Sequence, residues 1–199
     1  MPDATPDAMP DANQAAFDFL LTRHSNPAKL YKGPVPDRKA LLTILTAATR
    51  VPDHGKLEPW RLVVIDKAAM TRLADLAETR ARALCADAEK IGKGRGQYDL
   101  GQLAVAVISS PKSTEKVPLA EQILSAGALC FAVVTAATAA GWSANWLSGW
   151  PAHDAEFAAA AFGCTGTETV AGIIHIGTLA TAPLPDRPRP DLARLITWA

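Results

Sequence analysis

Apolar positions along the chain follow a helical period in some stretches and close into short continuous runs in others. Ala15 to Thr22 reads as a helix that stops at Arg23-His24-Ser25-Asn26-Pro27, because Pro27 disfavours helical geometry at Asn26. Pro36 opens a second helix with Leu41, Leu42, Ile44 and Leu45 on its apolar face, ending near Arg50. After the loop Val51 to Pro59, Trp60 to Ile65 is a short run rich in β-branched residues and predicts a strand. Asp66 caps a long helix reaching about Glu89, with Leu73, Leu76, Ala77 and Leu84 inward. Gly92-Lys93-Gly94-Arg95-Gly96 then reads as a mobile basic surface loop. Leu103 to Ile108 predicts a second strand, and Pro118 opens an apolar, buried helix that ends at Gly141. Ala155 to Phe162 is a short helix stopped by Gly163, and Val170 to Ile176 is a third strand. A Pro-rich segment leads to Leu192–Trp198 at the C-terminus. No linker divides residues 15–199, which predicts one α+β domain.

Charge narrows the function classes. The 199 residues carry 20 Lys+Arg against 20 Asp+Glu, and this balance argues against a nucleic-acid partner, which calls for a basic excess. With 49% hydrophobic residues the chain is a folded one. Three cysteines, Cys85, Cys130 and Cys164, lie far apart and give neither a zinc spacing nor a disulfide framework, as expected of a cytoplasmic protein. Residues 1–14 repeat Pro-Asp-Ala without a basic or apolar segment, so they predict a disordered tail rather than a signal peptide. Between Glu121 and Asp154 no Asp, Glu, Lys or Arg occurs, and a stretch of that length could span a bilayer. Its Ala, Ser, Thr and Gly content and lack of flanking Lys or Arg favour a helix buried in a core or a subunit interface.

Most chemical motifs fail on spacing. The glycines at 92, 94 and 96 follow a helix rather than a strand and lack the phosphate-loop signature. Ser143, Asp154 and His175 have the chain order of an α/β-hydrolase triad, but Gly141-Trp142-Ser143-Ala144-Asn145 is missing the second glycine of the nucleophile elbow. A serine hydrolase using Ser143 therefore stays only as an alternative. The four histidines share no helical face and predict no metal site. His175, inside a strand pattern, reads as a packed residue with a hydrogen-bond partner. Arg23 and Arg50, each beside a His-containing loop, read on residue type alone as solvated cations at helix ends.

Taken in order, these segments resemble the nitroreductase family of FMN-dependent oxidoreductases, in particular its small single-domain NAD(P)H nitroreductase branch. The resemblance is carried by Arg23-His24-Ser25, by Arg50-Val51-Pro52-Asp53-His54 with Glu58-Pro59-Trp60, and by Val117-Pro118 with Glu121-Gln122 and Ser125-Ala126-Gly127. It continues through Gly141 and Asn145-Trp146-Leu147-Ser148-Gly149, then Phe162-Gly163, and closes on Gly172-Ile173-Ile174-His175-Ile176-Gly177-Thr178.

The resemblance implies a sandwich in which helices flank a mixed, mostly antiparallel sheet, assembled as an intertwined homodimer with FMN at the interface. It implies that Arg23, His24 and Ser25 serve the ribityl-phosphate region, where an Arg fork suits phosphate. Arg50 and His54 would approach the flavin of the partner subunit, and Trp146, Leu147 and Ser148 would line it largely through backbone. Arg189 lies where many relatives place a phosphate-binding cation. Two departures stand out: His24 occupies a position where relatives often carry a second Arg, and Leu147 one where some carry Arg. The activity implied is ping-pong transfer from NAD(P)H to a flat oxidised acceptor such as a nitroaromatic or quinone. A flavin-binding or flavin-sensing module without turnover is the non-enzymatic alternative.

Overall fold

A computed structural model describes residues 11–182 and 184–199. The predicted disordered tail, residues 1–14, falls largely outside the described residues; Asn13 caps the first helix by accepting a hydrogen bond from Ala16 N. The elements in order are α1 (Gln14–Thr22), β1 (Tyr31–Lys32), α2 (Arg38–Ala48), β2 (Trp60–Ile65), α3 (Lys67–Ala83) and α4 (Ala88–Asp99). There follow β3 (Leu103–Ser109), α5 (Leu119–Ala139), β4 (Ser143–Leu147), α6 (Ala155–Phe162), β5 (Thr169–Leu179) and α7 (Leu192–Leu195).

The long strand β5 organises the sheet. It pairs with β3 and β4 and, near its end, with β1, while β2 joins the far side of β3. Every pairing among the described residues is antiparallel. β3 is buried along its whole length, which explains its unbroken apolar sequence. Its Ala104, Ala106 and Ile108 join a cluster with Met70, Leu73, Ala74 and Ala77 of α3 and Phe157 of α6. Leu103, Val105 and Val107 join the opposite cluster with Leu41, Ile44 and Leu45 of α2 and Leu129 and Val133 of α5. Period-2 alternation in one strand thus feeds two cores, giving a helix–sheet–helix sandwich.

Two expectations need correction. The helix opened by Asp66 does not reach Glu89: it ends at Ala83, Cys85 turns at φ +52°, and Asp87 starts α4 by accepting from Lys90 N. Gly92 to Gly96 is consequently not a loop but the middle of α4. Each glycine costs a helix about 1 kcal/mol relative to alanine, and tertiary contacts offset this. Arg95 pairs with Asp75 at 2.7 Å and Glu78 at 2.9 Å on α3, and with Asp99 on its own helix. Gly94 lies against the Trp150 indole, where a Cβ would come within 2.5 Å of Nε1. That Nε1 donates to the carbonyl of Lys90.

The second correction concerns α5. It is not buried all round: Ala126, Leu129, Cys130, Val133 and Ala137 face the sheet, whereas Leu119, Ile123, Leu124 and Phe131 are exposed. Among the described residues it is the one helix long and apolar enough to cross a bilayer, and its inner stripe packs against the sheet and α2. Burial pushes the Cys130 thiol up to about 12, which keeps it inert.

Candidate functional site

At one end of the sandwich the turn after α1, one face of α4, the end of β4 and the C-terminal segment enclose a cleft of about 820 Å³. That volume lies within the range of small-molecule sites, roughly 300–1,000 Å³. Lys93, Gly96 and Gln97 line it from one face of α4, and Leu100 and Gly101 from the turn that follows. Opposite them stand His24, Ser25 and Lys29, with Leu147, Ser148 and Gly149 beyond β4 and Arg187 from the C-terminal segment. Lys29 and Arg187 outnumber the single lining carboxylate, Asp186, while Lys93, also in the lining, pairs with Glu89 of α4 at 2.6 Å, so the cleft favours an anion.

Asn26, buried at 8% exposure, fixes these walls to one another. Its carbonyl accepts from Asn145 Nδ2 at 2.6 Å and from the Tyr31 hydroxyl at 2.7 Å, and its Oδ1 accepts from Leu184 N at 3.2 Å. The α1–β1 turn, β1, β4 and the C-terminal segment therefore meet at one residue. Burial pushes the Tyr31 phenol up to about 12, so it stays a donor.

Several polar atoms at the cleft lack partners. His24 donates through Nδ1 to the Thr22 carbonyl at 3.3 Å, while its Nε2 is buried and unpaired. Gln97 rests its carboxamide oxygen on Gly149, at the place a Cβ would fill, and its Nε2 is also unpaired. His175 corrects an expectation: it is a packed strand residue, 1% exposed, but neither ring nitrogen has a hydrogen-bond partner. Desolvation lowers its pKa to about 4. Buried polar groups are nearly always satisfied, and the nitrogens of His24, Gln97 and His175 find no protein partner at this cleft.

The residues singled out by resemblance divide into two groups. His24, Ser25, Leu147 and Ser148 come together in the cleft. Arg23 stands behind them, with Nη2 at 3.5 Å from Ser25 Oγ and its guanidinium 5.6 Å from the Phe131 ring centre on α5. Arg50, His54, Trp146 and Arg189 lie outside the cleft. Arg50 is exposed, and His54 pairs with Glu121 of α5 at 2.8 Å. The Trp146 indole covers Gly172 of β5, and Arg189 donates to the Leu21 carbonyl. Arg187, two residues earlier, reaches the cleft instead. Lys93 does so too, contrary to its reading as part of a mobile surface loop. Lys29, Gln97 and Gly101 were not legible as site residues, because only the packing of α4 and the α1–β1 turn against β4 assembles them.

Ser143, Asp154 and His175 do not form a triad. Asp154 caps α6 through Phe157 N and binds Arg80 at 2.8 Å, and His175 has no hydroxyl partner. The hydrolase alternative is discarded on this geometry.

The sequence matches the Nitroreductase family over residues 20–178. The Escherichia coli K12 protein YdjA, provisionally named an NAD(P)H nitroreductase, is 32% identical over 163 residues, which is 82% of this chain and 87% of the relative. Among solved structures, a nitroreductase-like family protein from Bacillus cereus superposes with a TM-score of 0.75 at 19% identity, covering 96% of this chain and 99% of the other. A nitroreductase with bound FMN from Bacteroides fragilis gives a TM-score of 0.69 at 18% identity, covering 92% and 97%. On a match that spans both faces of the sandwich and most of the cleft, this chain belongs to the nitroreductase family.

Proposed function

We propose that the cleft holds FMN and that the protein is an NAD(P)H-dependent oxidoreductase acting on a flat oxidised acceptor such as a nitroaromatic or quinone. The observation that carries this reading is the convergence of His24-Ser25, Leu147-Ser148-Gly149 and Arg187 on one cation-lined cleft with unpaired nitrogens. FMN, when bound, supplies the electron transfer, and the chain supplies binding and orientation. Ser25, Lys29 and Arg187 receive the phosphate, with Arg23 adding charge from behind Ser25. The segment Leu147 to Gly149 borders the flat ring, and His24 serves the ribityl side. Donor and acceptor use the remaining open side of the cleft in turn, as a ping-pong scheme requires. The name given to YdjA and the FMN held by the Bacteroides fragilis structure support this assignment.

A second copy of the chain completes the reading. α1 and α7 bury none of their own residues, and Phe17, Leu20, Leu124, Phe131, Leu195 and Trp198 are exposed. Apolar faces of this extent mark an interface. His54, paired with Glu121 of α5, and Arg50, both outside their own cleft, then serve the partner's site.

Purified protein is expected to be yellow, to release FMN on denaturation, and to oxidise NADH or NADPH anaerobically when a nitroaromatic or quinone is added. Colourless protein that binds no added FMN overturns the proposal. Bound FMN without any turnover favours the flavin-sensing alternative.

A further inference from the structure

His175 takes no part in the reading above, yet it is the most deeply buried titratable side chain at the cleft. It lies on β5, directly opposite Asn145 of β4 and Ala104 of β3. At 1% exposure and with both nitrogens unpaired, it leaves two polar atoms unsatisfied in the core. Such atoms destabilise a fold unless something else satisfies them. The neighbours given by the packing do not: Asn145 commits its Nδ2 to the Asn26 carbonyl, and Ala104 offers no polar side chain. On its remaining side is Gly101, where a Cβ would stand 3.3 Å from His175 Cε1 and 2.7 Å from Met70 Sδ. The absence of that Cβ leaves the imidazole beside the inner end of the cleft, which Gly101 and His175 both line. Gln97, near the C-terminal end of α4, adds a further unpaired nitrogen to the lining of the same cleft.

We propose that His175 is a positioning residue for the flat ring held in this cleft, an imidazole with no protein partner that takes its hydrogen bond from the bound ligand. The ligand class is a heteroaromatic ring with N–H and carbonyl groups along one edge, since a neutral imidazole donates at one nitrogen and accepts at the other. The depressed pKa keeps the imidazole neutral at physiological pH, so it serves as this two-way partner without adding charge. This inference rests on the FMN reading and assigns to that site a residue outside its phosphate-binding cations.

The test compares wild-type protein with His175→Phe, using FMN-free protein and added FMN. In the empty protein the substitution removes two unsatisfied atoms, so the melting temperature is expected to rise. FMN binding, followed by fluorescence quenching, is expected to weaken about tenfold, the size of one lost hydrogen bond to a ligand. The melting-temperature gain on adding FMN should shrink accordingly. A His175→Phe protein that is less stable when empty and binds FMN as tightly as wild type shows a structural histidine and overturns the inference. Should that variant fail to fold, wild-type protein labelled with ¹⁵N-histidine gives the same answer. The His175 ring signals are expected to shift to hydrogen-bonded values as FMN is added, and unchanged signals overturn the proposal. Wild-type protein that binds no FMN overturns the cofactor reading first and this inference with it, a result distinct from tight binding that ignores His175.

Discussion

At the residue scale, side chains of the same type differ by what already holds them. Arg187 faces the cleft, whereas Arg189 is committed to the Leu21 carbonyl. Charge-assisted hydrogen bonds contribute roughly 1.5–3 kcal/mol, so Arg187→Ala should raise the FMN dissociation constant at least tenfold. Arg189→Ala should change it little, and equal effects in a fluorescence titration would refute the distinction. Arg61 shows the same logic away from the site. Its guanidinium grips both oxygens of Glu168, at 2.8 and 2.9 Å, and also donates to the Phe162 carbonyl. The Arg61 contacts hold the Glu168 carboxyl down at about 2, from an ordinary 4.5. Because the folded-state pKa is the lower one, this pair stabilises the fold fully above about pH 4.5 and progressively less as pH falls towards 2. Glu168→Gln is therefore expected to lower stability by about 1–3 kcal/mol at pH 7. Denaturation curves of variant and wild type should converge only as pH falls to about 2, and a gap that persists there would show that the pair is not the cause.

At the element scale, α4 gives the clearest contrast between local sequence and tertiary packing. Its three alternate glycines predict a loop by propensity, and its start is hidden because the break after α3 uses Leu84-Cys85 rather than Gly or Pro. What makes the segment helical lies elsewhere in the chain: Asp75 and Glu78 for Arg95, and Trp150 for Gly94. Gly92 and Gly94 should consequently respond to alanine in opposite directions. At Gly92 a Cβ meets nothing within 4 Å, so Gly92→Ala should stabilise by about 0.5–1 kcal/mol. Gly94→Ala should destabilise despite the same gain in helix propensity, because the Trp150 indole would have to move. Thermal melts that shift the same way for both would refute this account of the helix. By contrast, β2, β3 and α6 were legible almost to the residue, since continuous apolar runs and an αL glycine at 163 are local signals. β1 and β4 were not, because each is recruited by β5 over a long separation and carries no alternation of its own. The site shows the same division. His24-Ser25 and Leu147-Ser148 were legible as segments, whereas α4's contribution and the unpaired state of His175 emerge only once α4, β4 and β5 are packed.

At the scale of the whole molecule, α5 ties the two groups of predicted residues together. Glu121 near its start holds His54, Ser125 accepts from the Trp60 indole, and Phe131 lies under Arg23. Its outward residues, Leu124 at 71% exposure and Phe131 at 51%, are uncovered in the single chain. In the proposed homodimer, packing α5 against its twin would bury them and would carry the His54 loop of one protomer towards the Arg23–Ser25 turn of the other. A site so divided can be tested by complementation between two damaged chains. Arg23→Glu puts a negative charge beside Ser25, and His54→Ala removes the side chain proposed to reach across. Each is first shown to abolish turnover as a homodimer, and the two are then mixed until subunits exchange. Half of the random dimers are mixed, and each of these holds one doubly damaged site and one intact site. Activity should then return to about a quarter of the wild-type level. A site built from one chain alone gives no recovery, because every cleft would carry one of the two lesions. No recovery, with exchange verified by mass spectrometry, would therefore place Arg23 and His54 in the same cleft and refute the divided site.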